Sequence, residues 1–368
     1  MKFRVMKSDI VSAVQNVSRA VSTKATLPAL EGILIKAYDN TLTLSGYDLE
    51  LGITTTLEAS VEAQGEIVVG AKLFADIVRK LPEEIVTFET DERMIIYITS
   101  GNVDYQIVGI SSIEYPEMPS FESLDTIKIN AGVLKNMIKQ TIYAVSDNIA
   151  KPIYTGSLFD VSNIELKIVA VDGYRMAIRS EAIESESNTR FIIPGKMQSE
   201  ILKLITDDEK EVVLSVGQRH VIIDVESYSV NSRLIEGSFL DYKTTIPKTE
   251  ATKLKVNTRE LINSVERMSL LTSERVQSPV RLSIYKDSIK LSCKTAVGRA
   301  NDNIPVDSFG DEVEIGFNNR YILDALKNTE CDEVRIILNG GLSPMIIKPL
   351  EGESFFFLVV PMRLNDDV

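Results

Sequence analysis

The chain has 368 residues, 44% of them hydrophobic, and a formal net charge of −13. A unit of ~120 residues, about a third of that length, can bury a core of its own. No apolar run approaches the ~18 residues a membrane helix needs, an acidic balance argues against a surface that coats nucleic acid everywhere, and two cysteines without a CxxC partner exclude a disulfide framework.

Taken in chain order, Met1-Lys2-Phe3-Arg4-Val5 reads as a strand from the outset, with no signal-peptide core, so a cytoplasmic protein is expected. Ile10, Val14, Val17 and Val21 recur at three and four residues and predict a helix over 8–21. Ile33-Leu34-Ile35-Lys36-Ala37, a turn at Asp39-Asn40 and Thr41-Leu42-Thr43-Leu44-Ser45 predict a hairpin. A second helix is predicted over 71–81. A second hairpin follows, from Ile85-Val86-Thr87-Phe88 through Asp91-Glu92 to Met94-Ile95-Ile96-Tyr97-Ile98.

The same succession then returns twice. Base, acid and base stand at Lys72, Asp76 and Arg79, at Lys196, Glu200 and Lys203, and at Arg320, Asp324 and Lys327. The spacing is 124 residues at both steps (196 − 72 and 320 − 196). Hairpins precede these helices at Leu158–Ile168 and Arg281–Leu291, and Ala20-Val21-Ser22 recurs as Ala144-Val145-Ser146. In the third copy the opening helix reads as Leu261, Val265, Met268 and Leu271. So long a period is the size of a domain, not of a solenoid repeat. The seams fall near Glu122–Asp125 and Thr249–Thr252, just past Pro119 and Pro247. The expected architecture is α+β: three repeated domains over 1–122, 126–249 and 252–368, each with two helices on antiparallel sheets.

Residues that carry chemistry are few. His220 is the only histidine, so no histidine-based triad or paired metal site is assembled; it is expected on the surface at a strand start. Cys293 and Cys331 are expected to be buried thiols. There is no GxxxxGK[ST] motif and no GxGxxG after a strand. Asn339-Gly340-Gly341 reads as a hairpin turn, and Glu83-Glu84 and Asp207-Asp208 read as solvated turns. No active site, metal or cofactor is expected.

Positions 72, 76 and 79 share one polar helix face. A single copy of such a face would be an ordinary solvated stripe, worth a few tenths of a kcal/mol. Three copies in phase place equivalent helices on one common surface. The six predicted helices, 8–21, 71–81, 131–145, 196–205, 258–271 and 319–328, together carry +6, which leaves −19 for the rest. Such segregation suits a protein that surrounds a polyanion with a basic inner face and an acidic exterior. The intervening acids Asp76, Glu200 and Asp324 keep the attraction weak.

Met1-Lys2-Phe3, Thr26-Leu27-Pro28, Asp48-Leu49-Glu50, Val171-Asp172-Gly173-Tyr174-Arg175, Asp241-Tyr242, Gly316-Phe317-Asn318 and the closing Pro361-Met362-Arg363-Leu364, in that order and spacing, resemble the bacterial sliding clamp, the beta subunit of DNA polymerase III. The resemblance covers residues 1–364 and includes the triplication. It implies a homodimer that closes a six-domain ring around duplex DNA, tethers the replicative polymerase and does no chemistry. It further implies partnership with a clamp loader and with other proteins carrying short clamp-binding motifs.

Residue by residue, the resemblance implies a peptide groove. Its first subsite would be Tyr154, Val171, Gly173, Tyr174, Arg175, Met176, Leu240, Thr245, Val359 and Leu364. Its second would be Asn318, Tyr321, Leu342, Pro344, Val360, Pro361, Met362 and Arg363. An apolar floor with arginine at the rim suits a short motif carrying leucine and phenylalanine. Lys24 matches a basic loop position that contacts DNA, and Lys72, Arg79, Lys80, Lys135, Lys139, Lys196, Lys203, Arg320 and Lys327 are the helix cations expected to face it. Ile77, Tyr105, Ile107, Leu270 and Leu271 match the dimer interface.

Some positions depart from the family pattern. Tyr174 stands where histidine is usual, Leu240 where proline is usual, and Thr244 in place of a base. Asn365-Asp366-Asp367-Val368 extends past the usual last leucine as an acidic tail. An alternative class, an enzyme or receptor that uses an inter-domain cleft, requires convergent polar groups that the sequence does not offer.

Overall fold

The computed structural model describes residues 1–122, 124–272 and 279–364. Among these residues the α-helices are α1 (Lys7–Val17), α2 (Ala71–Lys80), α3 (Ala131–Ile142), α4 (Gly195–Leu204), α5 (Tyr242–Thr245), α6 (Thr258–Ser269) and α7 (Asn319–Lys327). The starts of α2, α4 and α7 keep the spacing of 124 (195 − 71 and 319 − 195). The opening helices are shorter than the periodicity predicts. α1 ends at Val17, and Val21 is already extended at φ −89° and ψ 132°. A hydroxyl folds back on a carbonyl four residues earlier at each of these ends. Ser18 bonds Val14 at 2.5 Å, Thr141 bonds Met137 at 2.8 Å and Ser269 bonds Val265 at 2.7 Å. Such back-bonding competes with helix continuation.

The chain forms two compact units, and the division runs through the central repeat. The first unit comprises Met1–Lys135 and Lys196–Leu234. It holds a five-stranded antiparallel sheet in the order Ser60–Ala63, Lys2–Met6, Ile85–Thr90, Ile95–Ser100 and Val103–Val108. Phe3 and Phe88 stack at 4.9 Å, and Phe74 of α2 meets Phe88 edge-on at 5.8 Å, which seats the helix on this sheet.

The unit's other sheet has eight strands, four from each of two repeats. Its order is Asp125–Asn130, Glu211–Val216, His220–Val225, Tyr228–Arg233, Leu51–Glu58, Thr41–Tyr47, Gly32–Tyr38 and Gly65–Gly70. The repeats join where Tyr228–Arg233 pairs with Leu51–Glu58, with Val230 opposite Ile53. His220 opens its strand and lies against the Phe121 ring at 6.3 Å. Burial and the charges of Arg233 and Arg219 lower its pKa.

The second unit comprises Asn136–Gly195 and Ile235–Val368. Its nine-stranded sheet joins the central and third repeats where Arg175–Ala182 pairs with Phe355–Val359. Phe355, Phe357 and Val359 enter one apolar cluster, and Phe356 and Leu358 enter another. Successive side chains point to opposite faces of a strand, so this strand is buried on both sides and shows no polar alternation. A four-stranded sheet, ordered Arg299–Pro305, Ser288–Lys294, Val280–Ile284 and Val313–Phe317, completes the unit. Asn339–Gly341 turns between strands as expected, with Gly340 at φ +96°. Cys293 is buried, whereas Cys331 is only half-buried, a correction to the expectation for both thiols.

No described helix is long and apolar enough to cross a membrane.

Candidate functional site

The expected groove residues gather in the second unit around one turn. Strand Glu165–Val171 is followed by Asp172, whose Oδ1 accepts the Tyr174 N–H at 2.9 Å and the Arg175 N–H at 3.0 Å. Gly173 sits at φ +95°, a left-handed conformation that glycine adopts without strain. Arg175 is 8% exposed rather than at the rim. Its Nε donates to Asp172 Oδ2 at 2.9 Å, and its outer guanidinium nitrogen donates to Asp324 of α7. Burial works against the charged form, but the hydrogen bonds to Asp324 and Asp172 outweigh it and raise the pKa further. The guanidinium lies 4.7 Å from the Tyr321 ring centre and 5.4 Å from that of Tyr143. Tyr174 stacks on Tyr321 at 5.7 Å and remains 59% exposed.

The C-terminal segment closes the site. Val360 N–H donates to the Tyr174 carbonyl at 2.8 Å, and Met362 N–H donates to the Gly316 carbonyl at 2.7 Å. A Cβ on Gly316 would stand 2.5 Å from Leu364 Cδ2, so any side chain there would push the Leu364 side chain aside. Asn318 caps α7 by accepting the Arg320 N–H at 3.0 Å. Val171 and Met176 belong to an apolar cluster against which Tyr154 and Phe239 pack, their rings edge-on at 5.7 Å. Thr245 is exposed on α5, with its hydroxyl 3.9 Å from Met176 Sδ. Leu342 is 81% and Val360 37% exposed, and Arg363 is the arginine open to solvent. Leu240, Pro344, Pro361, Met362 and Leu364 are half-buried. Val359 is fully buried on the opposite face of its strand, within the core of the third repeat. Its expected place on the groove surface is therefore corrected: it supports the strand from behind. The tail Asn365–Val368 lies outside the described residues.

Sequence reasoning named neither Asp172 nor Asp324 nor Tyr143 as part of this site. An Asp-Gly pair directly after a strand was the legible sign for Asp172. Tyr143 is brought to Arg175 only by the fold.

Most of the expected DNA-facing cations already have an acidic neighbour. Arg79 pairs with Asp76, Lys196 with Asp48, Lys135 with Asp208 at 2.8 Å, Lys139 with Glu330 at 2.5 Å, Lys203 with Glu200 at 2.8 Å and Lys327 with Glu266 at 2.7 Å. Arg320 stands 3.9 Å from Asp324. Among the described residues, Lys24, Lys72 and Lys80 are exposed with no such pair.

The expected interface residues lie on or beside two sheet edges, one in each unit. Val103–Val108, carrying Tyr105 and Ile107, ends the five-stranded sheet, and Arg299–Pro305 ends the four-stranded sheet. Tyr105 is 37% exposed and Leu270, just past α6, is 84% exposed. Leu271 packs partly against the third repeat's core, and Ile77 of α2 is 5% exposed.

Known proteins match almost the full length of the chain. The family models for the DNA polymerase III beta subunit match in three blocks: its N-terminal domain at residues 1–119, its central domain at 128–241 and its C-terminal domain at 243–363. A Beta sliding clamp of Bacillus subtilis (strain 168) is 32% identical over 376 residues, covering 99% of this chain and 100% of the relative. The crystal structure of a DNA polymerase sliding clamp from Bacillus subtilis superposes with a TM-score of 0.96 at 32% identity, covering 99% of this chain and 100% of that one. That of the DNA polymerase III beta subunit from Thermotoga maritima gives 0.92 at 26% identity, with the same coverage.

Proposed function

This chain belongs to the DNA polymerase III beta subunit family, and from that premise we propose how it closes around DNA and holds its partners. It is a non-catalytic DNA sliding clamp. Two copies meet head to tail, and the domains 1–122, 126–249 and 252–368 of each make a ring of six. Duplex DNA passes through it without sequence readout. Lys24 and the helix cations face the phosphates. The groove around Tyr174, Arg175, Tyr321 and Met362 receives short leucine- and phenylalanine-bearing motifs of the replicative polymerase, the clamp loader and other replication or repair proteins. The site of action is the cytoplasm.

One observation carries ring closure. Two repeat junctions lie within the chain, and each is a pair of antiparallel strands. The strands equivalent to these partners, Val103–Val108 and Arg299–Pro305, are left at sheet edges. An edge strand is a template for a further strand, and a head-to-tail dimer supplies it twice. The internal ladders also support one register for the contact between copies. Val225 opposite Tyr228 corresponds to Ser100 opposite Val103, and Thr41 opposite Glu58 corresponds to Ser288 opposite Pro305. Carrying Val230–Ile53 across places Tyr105 opposite Ala300 of the second copy, and Ser232–Leu51 places Ile107 opposite Gly298. Arg175–Val359, carried through the third repeat's ladders, gives the same Ile107–Gly298 pair.

The test is a cysteine pair at Tyr105→Cys and Ala300→Cys. Directly opposed Cβ atoms about 4.5–5.5 Å apart are expected to form a covalent dimer on mild oxidation. Efficient cross-linking from a pair displaced by two positions, and none from this one, refutes the register; sedimentation as a monomer at micromolar concentration refutes closure.

A further inference from the structure

Each repeat's second helix carries one acid between two bases, yet the three acids have different surroundings. Asp76 is exposed and pairs with Arg79 of its own helix. Glu200 pairs with Lys203 at 2.8 Å and stands 3.7 Å from Arg19. Asp324 stands 3.9 Å from Arg320 of its own helix and in addition receives Arg175, a buried residue 149 positions away on the groove turn. Arg175 is held at its other side by Asp172, the residue whose carboxylate organises that turn. The ring it lies beneath, Tyr321, is itself one turn of α7 away from Asp324 and stacks on Tyr174.

We propose that Asp324 is a positioning residue of the groove: through Arg175 it fixes the Asp172–Arg175 turn and with it the Tyr174–Tyr321 stack. The inference rests on the groove reading and deepens it. Helix α7 then serves two surfaces at once, the groove through Asn318 and Tyr321 and the DNA through Arg320 and Lys327. The acid that its sequence pattern assigns to the DNA face is spent on the groove.

Replacing Asp324 with asparagine leaves Arg175 buried with one anionic partner in place of two. The guanidinium then loses one fixed side of its cradle, and the turn and Tyr174 gain freedom that a bound peptide must remove. The experiment measures the affinity of a Gln-Leu-Ser-Leu-Phe peptide for the full-length dimer carrying Asp324→Asn, alongside the thermal midpoint. The expected result is at least tenfold weaker binding. Asp76→Asn, the equivalent change in the first repeat, is expected to leave affinity within twofold. If Asp324→Asn does not fold, Asp324→Glu keeps the charge but moves it by one methylene, and at least threefold weaker binding is expected. A lowered thermal midpoint with unchanged peptide affinity assigns the ion pair to the fold alone and overturns the role. Absence of binding to the parent chain overturns the groove assignment, and this role with it.

Discussion

Lys139 of α3 and Glu330, which follows α7, form an ion pair at 2.5 Å between the central and third repeats. The same cation is one of those expected to meet DNA, so its attraction to phosphate competes with an acid already in place. Glu330→Gln with Glu266→Gln frees Lys139 and Lys327. The expected outcome is tighter binding of linear duplex at ~50 mM salt, with a log–log salt slope steeper by about one for each freed lysine. Fluorescence anisotropy over a salt series reads both. An unchanged slope means these lysines do not reach the phosphates.

The proposed subunit contact rests on apolar side chains that one copy leaves open, Leu270 largely and Leu271 in part. Leu270→Ala with Leu271→Ala is expected to yield monomers at micromolar concentration by sedimentation. An intact dimer would place the contact elsewhere.

The C-terminal wall of the proposed groove is tied down by the Met362–Gly316 hydrogen bond and by Leu364 against Gly316. Deleting Met362–Val368 is expected to abolish peptide binding while the fold and the dimer persist. In the parent chain a Gln-Leu-x-Leu-Phe peptide is expected to compete with polymerase for one site per subunit. Unchanged affinity in the truncated chain would locate the site outside this wall.

Acid should weaken the third repeat at a definite residue. Burial tends to raise the Asp302 pKa, but Arg267, Ser264 and the Asn303 N–H together hold it below the usual carboxylate range. A depressed folded-state value gives stability that is present above the unfolded value of about 3.9. That stability fades as pH falls through the lower folded value. Asp302→Asn removes this step. The thermal midpoint followed from pH 6 down to the acid limit should therefore fall less steeply in the variant, and parallel curves would contradict the assignment.

The repeat was legible because Lys72, Lys196 and Arg320 recur in phase, and the helices that carry them start in that phase. The joining of repeats into shared sheets was not. Phe355–Val359 is apolar at every position because both its faces are covered, so periodicity says nothing about which side Val359 faces. Tyr174 and Tyr321 are expected in the groove through family resemblance alone. Their stacking over Arg175, and Arg175's grip on Asp324, depend on pairings across 149 positions that local pattern does not encode.

Topological linkage to DNA is the central claim, and retention on circular against linear DNA tests it most directly. The protein is loaded on a circular duplex, washed at high salt, and the circle is then cut. A closed ring is held by its own connectivity, so retention through the wash and release on cutting are predicted. Charge reversal at Lys72, Arg79, Lys196, Lys203, Arg320 and Lys327 should impair loading and sliding more than retention. Equal, salt-sensitive dissociation from circular and linearised DNA would mean simple surface binding and would contradict the account.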